Sequence, residues 1–223
     1  MQDATPENTA IQNVQDKISH TAKIARRKSD DITLVAVSKT RSAEEIRPLL
    51  GAGHRIFGEN RVQEAAEKWP ELKSEFSGCE LHLIGQLQSN KAADATVLFD
   101  VIHSVDRMSL IKALGKAMRE VDKNIPCFLQ VNIGDEEQKG GCAIGSIADL
   151  LSAAQKHGVE IIGLMCLPPA DVEPAPYFAL LAELAARHEL PSLSMGMSGD
   201  YETAIMLGAT HIRVGTALFG PRG

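Results

Sequence analysis

Eight short apolar segments, separated by stretches of helical periodicity, constrain the fold of this chain more than any other feature of its sequence. Several are apolar without interruption, which is typical of strands buried on both faces. The segments span residues 32–39, 55–59, 80–85, 100–106, 127–133, 160–167, 192–196 and 211–216. Eight strand–helix units in 223 residues favour an α/β fold, a single closed (β/α)8 barrel of the TIM type, over an open doubly wound sheet.

A further helix is predicted before the first strand. Apolar residues recur at helical spacing from Ile11 to Ala25, with Thr5 placed to cap the helix and Pro6 in its first turn. The remaining sequence contains no linker-like or low-complexity stretch. We therefore expect residues 1–223 to form one domain, a barrel with an extra N-terminal helix.

Charge and cysteine content exclude several classes of function. The chain has 23 Lys and Arg against 29 Asp and Glu, a net charge of −6, which argues against nucleic-acid or anionic-membrane partners. The four cysteines form no CxxC pair, and the histidines show no paired metal-ligand spacing. The N-terminus has no secretory pattern, and no apolar run reaches membrane-spanning length. We expect a cytoplasmic protein with reduced thiols and no metal.

Lys39 is the first candidate for chemistry, because it ends the first apolar segment. The active face of a barrel of this type is formed where its strands end. Val35, Val37 and Lys39 lie on one side of the strand, so the amine can emerge at the barrel mouth. An amine beside apolar surface is harder to protonate, and a neutral amine is what attack on an aldehyde requires. A lysine that merely extends to water is the alternative.

Two glycine-containing turns follow the last two predicted strands. Ser198 and Gly199 come after the seventh, and Gly215 and Thr216 end the eighth. Glycine lets backbone amides approach a ligand closely, and barrels frequently bind phosphate with these two loops. Tight turns with a capping serine are the alternative, but two such loops at the expected places favour a phosphate site.

Two further polar residues have a structural and a functional interpretation. Arg213 lies inside the eighth segment, on the same side of the strand as His211 and Gly215. It either faces a ligand in the barrel or forms a strand-end ion pair, and spacing alone leaves both open. Asn60 follows the second strand and either caps the next helix or binds a ligand at the mouth. The polar stretch from His82 to Lys91 fits a pocket rim.

Motifs along the chain resemble those of one known family, the pyridoxal phosphate homeostasis proteins. They occur in order from residue 34 to residue 220 and cover nearly the whole chain after the first helix. The matching motifs are LVAVSKT, FGENRVQE, HLIGQLQSNK, IHSVD, VNIGDEEQKGG, GLMCLPP, MGMSGDYETAI and IRVGTALFG. Each is weak alone, and the ordered set is specific.

The resemblance implies an alanine-racemase-like barrel that binds pyridoxal 5′-phosphate (PLP) as a Schiff base on Lys39. It implies that the phosphate meets the turns Ser198–Gly199 and Gly215–Thr216, that Arg213 lies near the pyridine nitrogen, and that Asn60 forms the pocket wall. It further implies a carrier of PLP without catalysis, with apo PLP-dependent enzymes as partners. The expected barrel lacks the additional C-terminal domain of racemases and their dimer contact, so we expect a monomer.

Two enzymatic alternatives remain. A PLP-dependent amino-acid racemase needs a base on each face of the substrate α-carbon. Lys39 could serve one face, but Tyr177 and Tyr201 both fall in predicted helices. A Schiff-base aldolase would also use a lysine and a phosphate site, but the sequence identifies no acid/base neighbour for the lysine.

Overall fold

A computed structural model of the protein, which describes residues 6–221, contains a closed barrel of eight parallel strands in sequential order. Each predicted apolar segment forms one strand. The strands are β1 (Thr33–Val37), β2 (Ile56–Glu59), β3 (Glu80–Leu83), β4 (Val101–Val105), β5 (Cys127–Val131), β6 (Ile161–Cys166), β7 (Ser192–Met197) and β8 (His211–Val214). The closed-barrel prediction is confirmed, because β8 pairs with β1 and no open sheet edge remains among these strands.

Helices surround the barrel. They are α1 (Pro6–Ile24), α2 (Ala43–Gly51), α3 (Val62–Glu75), α4 (Ala92–Leu98), α5 (Met108–Val121), α6 (Ile147–His157), α7 (Ala175–Arg187), α8 (Tyr201–Met206) and α9 (Thr216–Phe219). The helix before the first strand is thereby confirmed, whereas Thr5, its predicted cap, lies outside the described residues. Assigning Gly215 and Thr216 to the eighth strand was wrong, because the strand ends at Val214 and Thr216 begins α9.

Most of the apolar core lies between the barrel and its helices. Phe57 on β2 packs against Trp69 on α3 with ring centroids 5.0 Å apart, and both are fully buried. A smaller apolar cluster fills part of the lumen and contains Phe128 and Met165. Alternation along each strand therefore sends one set of side chains outward to the helices and another inward.

Helix α1 supports the side of the barrel where the outer helices are shortest. It packs against α8 and α9, which have six and four residues. Just beyond α1, the guanidinium of Arg27 donates to the carbonyl of Ile205 at 3.1 Å. Helix α1 thus completes the outer layer beside the loops that follow β7 and β8. Within residues 6–221, no helix combines the length and the apolar character needed to span a bilayer.

Gly115 in α5 offers a test of how tightly the outer helices pack. A β-carbon at this position would lie 2.3 Å from the carbonyl oxygen of His157, the last residue of α6. Helix propensity alone predicts that Gly115→Ala stabilises the protein, but this contact reverses the sign. We expect a loss of about 1–3 kcal/mol in urea unfolding. Gly51→Ala is the control, since a β-carbon at Gly51, the last residue of α2, meets nothing within 4 Å. Equal stability of the two variants would contradict this packing.

Candidate functional site

A pocket of about 530 Å³ lies at the carboxyl end of the barrel strands. Its wall is formed by residues at the ends of β1, β5, β7 and β8, by the loops that follow these four strands, and by the loops after β2, β3 and β6. All seven residues predicted from the sequence to bind a cofactor line it, namely Lys39, Asn60, Ser198, Gly199, Arg213, Gly215 and Thr216. The structure therefore brings together groups that lie up to 177 positions apart in the chain (216 − 39).

Lys39 lies in the turn directly after β1 and is half-buried in the pocket wall. The backbone on both sides of it is held by one side chain of α3. Nζ of Lys68 donates to the carbonyl oxygens of Ser38 and Arg41, each at 3.0 Å. This second lysine thus fixes the turn that carries Lys39.

A buried acidic residue completes the support of that turn. Glu59, at the end of β2, has no exposed surface and accepts from Ser38 Oγ at 2.6 Å and from Trp69 Nε1 at 3.0 Å. Lys68 Nζ lies 2.9 Å from the same carboxylate oxygen. Burial raises the pKa of Glu59, while the charge of Lys68 opposes this increase. The role of Glu59 could not be recognised from the sequence, because its contacts join residues of separate elements.

Ser198 joins the two loops predicted to bind phosphate. Its Oγ accepts a hydrogen bond from the backbone amide of Gly215 at 3.1 Å. Just before this contact the pairing of the two strands is irregular, because Ser194 pairs with His211 but Met197 pairs with Arg213. Three residues of β7 therefore correspond to two of β8, and such a bulge redirects the end of a strand.

Gly196 makes this bulge possible. Its φ is +93°, and a β-carbon there would lie 2.6 Å from the β-carbon of Ala204 on α8. Helices α8 and α9 begin directly after the two loops. The first amides of a helix have no partner within the helix, so donors are available on this side of the pocket.

Arg213 projects from β8 into the barrel and forms part of the pocket lining. It is 4% exposed and donates to Ser194 Oγ at 2.5 Å and to the carbonyl oxygen of Cys166 at 2.9 Å. Within residues 6–221 no carboxylate lies within ion-pair distance of it, so the predicted alternative of a strand-end ion pair is not found. Burial lowers the pKa of Arg213 from its ordinary value. A buried cation therefore faces the pocket.

Asn60 follows β2 and reaches the pocket wall. Helix α3 begins at Val62 with Arg61 at its N-cap position, so the interpretation of Asn60 as a helix cap is wrong. Gly85 packs against the backbone of Asn60 so closely that a β-carbon on it would lie 2.3 Å from the Asn60 carbonyl oxygen. The two loops therefore hold each other at the mouth.

The polar stretch after β3 divides between the rim and the lumen. Gln86 lines the pocket and donates to Gln130 Oε1 at 2.6 Å, while Gln130 donates to the carbonyl of Gly140 at 3.0 Å. His82, predicted at the rim, instead lies inside the barrel with no exposed surface. Its ring is 5.0 Å from that of His103 on β4.

Comparison with known proteins identifies the family. The model of the alanine racemase N-terminal domain matches residues 14–223. The pyridoxal phosphate homeostasis protein of Escherichia coli K12 is 36% identical, and the match covers 95% of each chain. That of Aquifex aeolicus is 38% identical, and the match covers 95% of this chain and 96% of the other. This chain belongs to the pyridoxal phosphate homeostasis protein family.

A solved structure of similar sequence agrees with this assignment. PipY of Synechococcus elongatus, in a structure with PLP bound, is 39% identical to this homeostasis-family chain. The match covers 91% of this chain and 100% of PipY, with a TM-score of 0.78. The alanine-racemase-like barrel expected from the sequence is thereby confirmed for this member of the family.

Proposed function

We propose that this protein binds PLP as a Schiff base on Lys39 and acts in PLP homeostasis as a carrier. The observation that carries the proposal is the pocket in which the amine-bearing Lys39 and the buried cation Arg213 are lining residues. Membership of the homeostasis family and the PLP-bound structure of PipY support the choice of ligand.

The residues of the pocket fit the chemistry of this ligand. The Lys39 amine adds to the aldehyde carbon, and the aldehyde oxygen leaves as water, so that capture is covalent and reversible by hydrolysis. The turns Ser198–Gly199 and Gly215–Thr216 offer hydroxyls and backbone amides for the phosphate, and Asn60 forms part of the pocket wall. A barrel mouth with donors from the last two loops is a recurrent phosphate site.

Arg213 is the reason for proposing a carrier rather than an enzyme. A guanidinium only donates hydrogen bonds, so next to the pyridine nitrogen it favours the unprotonated form of that nitrogen. An unprotonated ring withdraws electrons less strongly, and PLP catalysis depends on that withdrawal. Arg213 therefore suits storage of the cofactor better than chemistry on a substrate.

Neither tyrosine is placed to act as the second base that racemisation requires. Tyr177 on α7 and Tyr201 on α8 are absent from the pocket lining, and Tyr201 is 4% exposed in the core. Activity as an amino-acid racemase is accordingly not proposed.

We further propose that residues 1–223 act as one domain, as a monomer in the cytoplasm, with apo PLP-dependent enzymes as recipients.

Transfer of PLP to an apo-enzyme tests the proposal. The protein titrated with PLP should develop an absorbance band at roughly 420 nm, with about one PLP bound per chain. After removal of free PLP, an added apo-transaminase should regain activity while the band declines. Protein that never develops the band would contradict PLP binding. A loaded protein that racemises amino acids faster than free PLP does would contradict the role as a carrier.

A further inference from the structure

A continuous chain of hydrogen bonds runs through the barrel lumen from the pocket to the opposite end. Nη1 of Arg213 donates to Ser194 Oγ at 2.5 Å, and this hydroxyl lies 2.7 Å from Nδ1 of His103. Nε2 of His103 lies 2.9 Å from Nδ1 of His82. Nε2 of His82 lies 2.8 Å from Oε1 of Glu80, the first residue of β3, whose side chain is 45% exposed. The other four residues are buried, so the chain reaches solvent at its Glu80 end.

The two ends of this chain fix the direction of its hydrogen bonds. Arg213 can only donate, so Ser194 Oγ accepts from it. The hydrogen bond with His82 lowers the pKa of Glu80, and an ionised carboxylate only accepts, so the proton lies on Nε2 of His82. With one proton in each remaining contact, Ser194 donates to Nδ1 of His103, and Nε2–H of His103 donates to Nδ1 of His82. Both histidines are then neutral and carry their proton on Nε2.

If the hydrogen bond between His82 and His103 ran in the opposite direction, His82 would become a buried cation. If His82 donated through Nδ1 to His103, its contact with Glu80 would require a second proton on Nε2. The ring of His82 has no exposed surface, and a buried charge is costly. Burial places the pKa of His103 well below its ordinary value and lowers the pKa of the nearby His211 to about 4, so these two rings are neutral at neutral pH. His211 lies 5.8 Å from the ring of His103 and 6.1 Å from that of His82.

A metal ion does not explain this cluster of histidines. Among residues 6–221, no three His, Cys, Asp or Glu side chains are grouped so that they could hold one. The contacts themselves also account for the ring nitrogens of His82 and His103, each of which lies within hydrogen-bond distance of a neighbour. The cluster is complete as a hydrogen-bonded unit.

We propose that Ser194, His103 and His82 are positioning residues, which hold Arg213 in one orientation at the pocket and connect it to the carboxylate of Glu80. The Ser194 hydroxyl fixes Nη1, and the Cys166 carbonyl fixes Nη2. With both nitrogens held, the plane of the guanidinium is set before a ligand arrives. The hydrogen bonds from Arg213 to Glu80 all point the same way, so the negative charge lies at the end of this series that is farthest from the pocket. The inference rests on the proposed function for the role of Arg213 toward PLP, but the protonation pattern does not depend on it.

Nitrogen-15 NMR of the histidine side chains in the ligand-free protein tests the pattern directly. At neutral pH, His82 and His103 should each show a protonated Nε2 and an unprotonated Nδ1. In Ser194→Ala the Nδ1 of His103 loses its donor, so its resonance should move, and Ser194→Thr should restore it. Ser104→Ala is the matched control, since the hydroxyl of Ser104, also on a strand and buried, finds no partner within residues 6–221. A proton on Nδ1 of either histidine would overturn the proposal.

PLP binding to the same variants tests the consequence for Arg213. Ser194→Ala should weaken binding about tenfold, as expected for one lost hydrogen bond to a charged group. Ser194→Thr should recover most of the affinity, and Ser104→Ala should bind as the wild type does. Wild-type affinity in Ser194→Ala would refute the positioning role. If the wild type bound no PLP, the proposed function would fail, whereas the NMR experiment would still decide the protonation pattern.

Discussion

Lys39→Ala is expected to abolish covalent capture of PLP. The wild-type protein, loaded with PLP and reduced with borohydride, should retain about one cofactor per chain, because reduction makes the bond to the lysine permanent. The variant should retain no cofactor after reduction and should show no absorbance band at roughly 420 nm. Absorbance and the mass of the intact chain measure both effects. The pocket of the variant still contains Arg213 and the loops after β7 and β8, so weak, noncovalent binding should persist.

The control for this experiment is another lysine of the same chain. Lys112 is exposed on α5 and is not among the residues that line the pocket. Lys112→Ala should therefore capture and retain PLP as the wild type does. Borohydride-stable labelling of Lys39→Ala at a comparable level would show that a different amine forms the Schiff base, and the assignment of Lys39 would be wrong.

Lys68→Met is expected to cause the largest loss of stability among simple substitutions near the site. It removes the positive charge beside Glu59, a carboxylate with no exposed surface, and frees the carbonyls that flank Lys39. Removing one partner of a buried ion pair destabilises proteins by about 3–5 kcal/mol. Urea unfolding at neutral pH should show a decrease of about this size. The exposed pair Lys116–Glu120 provides the control, and Lys116→Met should change stability by about 0.5 kcal/mol or less.

The pH dependence of the Lys68→Met effect identifies its cause. Burial already raises the pKa of Glu59, so the folded state keeps this proton at pH values where the unfolded chain, with a pKa of about 4.3, has lost it. The contribution of Glu59 to stability therefore falls as the pH rises through that interval. Loss of Lys68 raises the pKa of Glu59 further. It therefore widens the pH range between the pKa of Glu59 in the unfolded chain and its pKa in the folded protein. The stability deficit of the variant should shrink as the pH is lowered toward 5, and a deficit independent of pH would contradict an electrostatic origin.

The strands and the pocket could be predicted because they depend on local patterns. Each strand is a short apolar segment, and a parallel barrel gathers all strand ends on one face. Lys39, Ser198 and Arg213 could be assigned to that face from their distance to a predicted strand end alone. The boundary between β8 and α9 was misplaced, because no local signal at Gly215 and Thr216 separates them from the strand pattern of β8.

The lumen could not be predicted, because its contacts depend on register between strands. The sequence shows that His82 and His211 lie on particular faces of β3 and β8, but not that their rings come within 6.1 Å across the barrel. The contact of Ser194 with Arg213 depends on the pairing of β7 with β8, where Ser194 lies opposite His211, and no local pattern reveals this register. The available signal was one histidine in each of three predicted strands. These histidines were considered only as possible metal ligands, and not as partners of one another.

The closed barrel brings its first and last strands, β1 and β8, together beside the pocket. Val35 pairs with Arg213 across β1 and β8, and the guanidinium of Arg41 donates at 2.8 Å to the carbonyl of Gly220, 179 positions later. Contacts of such long sequence separation form late and slow the folding of a chain. During synthesis, Lys39 leaves the ribosome long before the residues that complete its surroundings. The complete pocket wall therefore forms only when β8 pairs with β1, after the last strand has been synthesised.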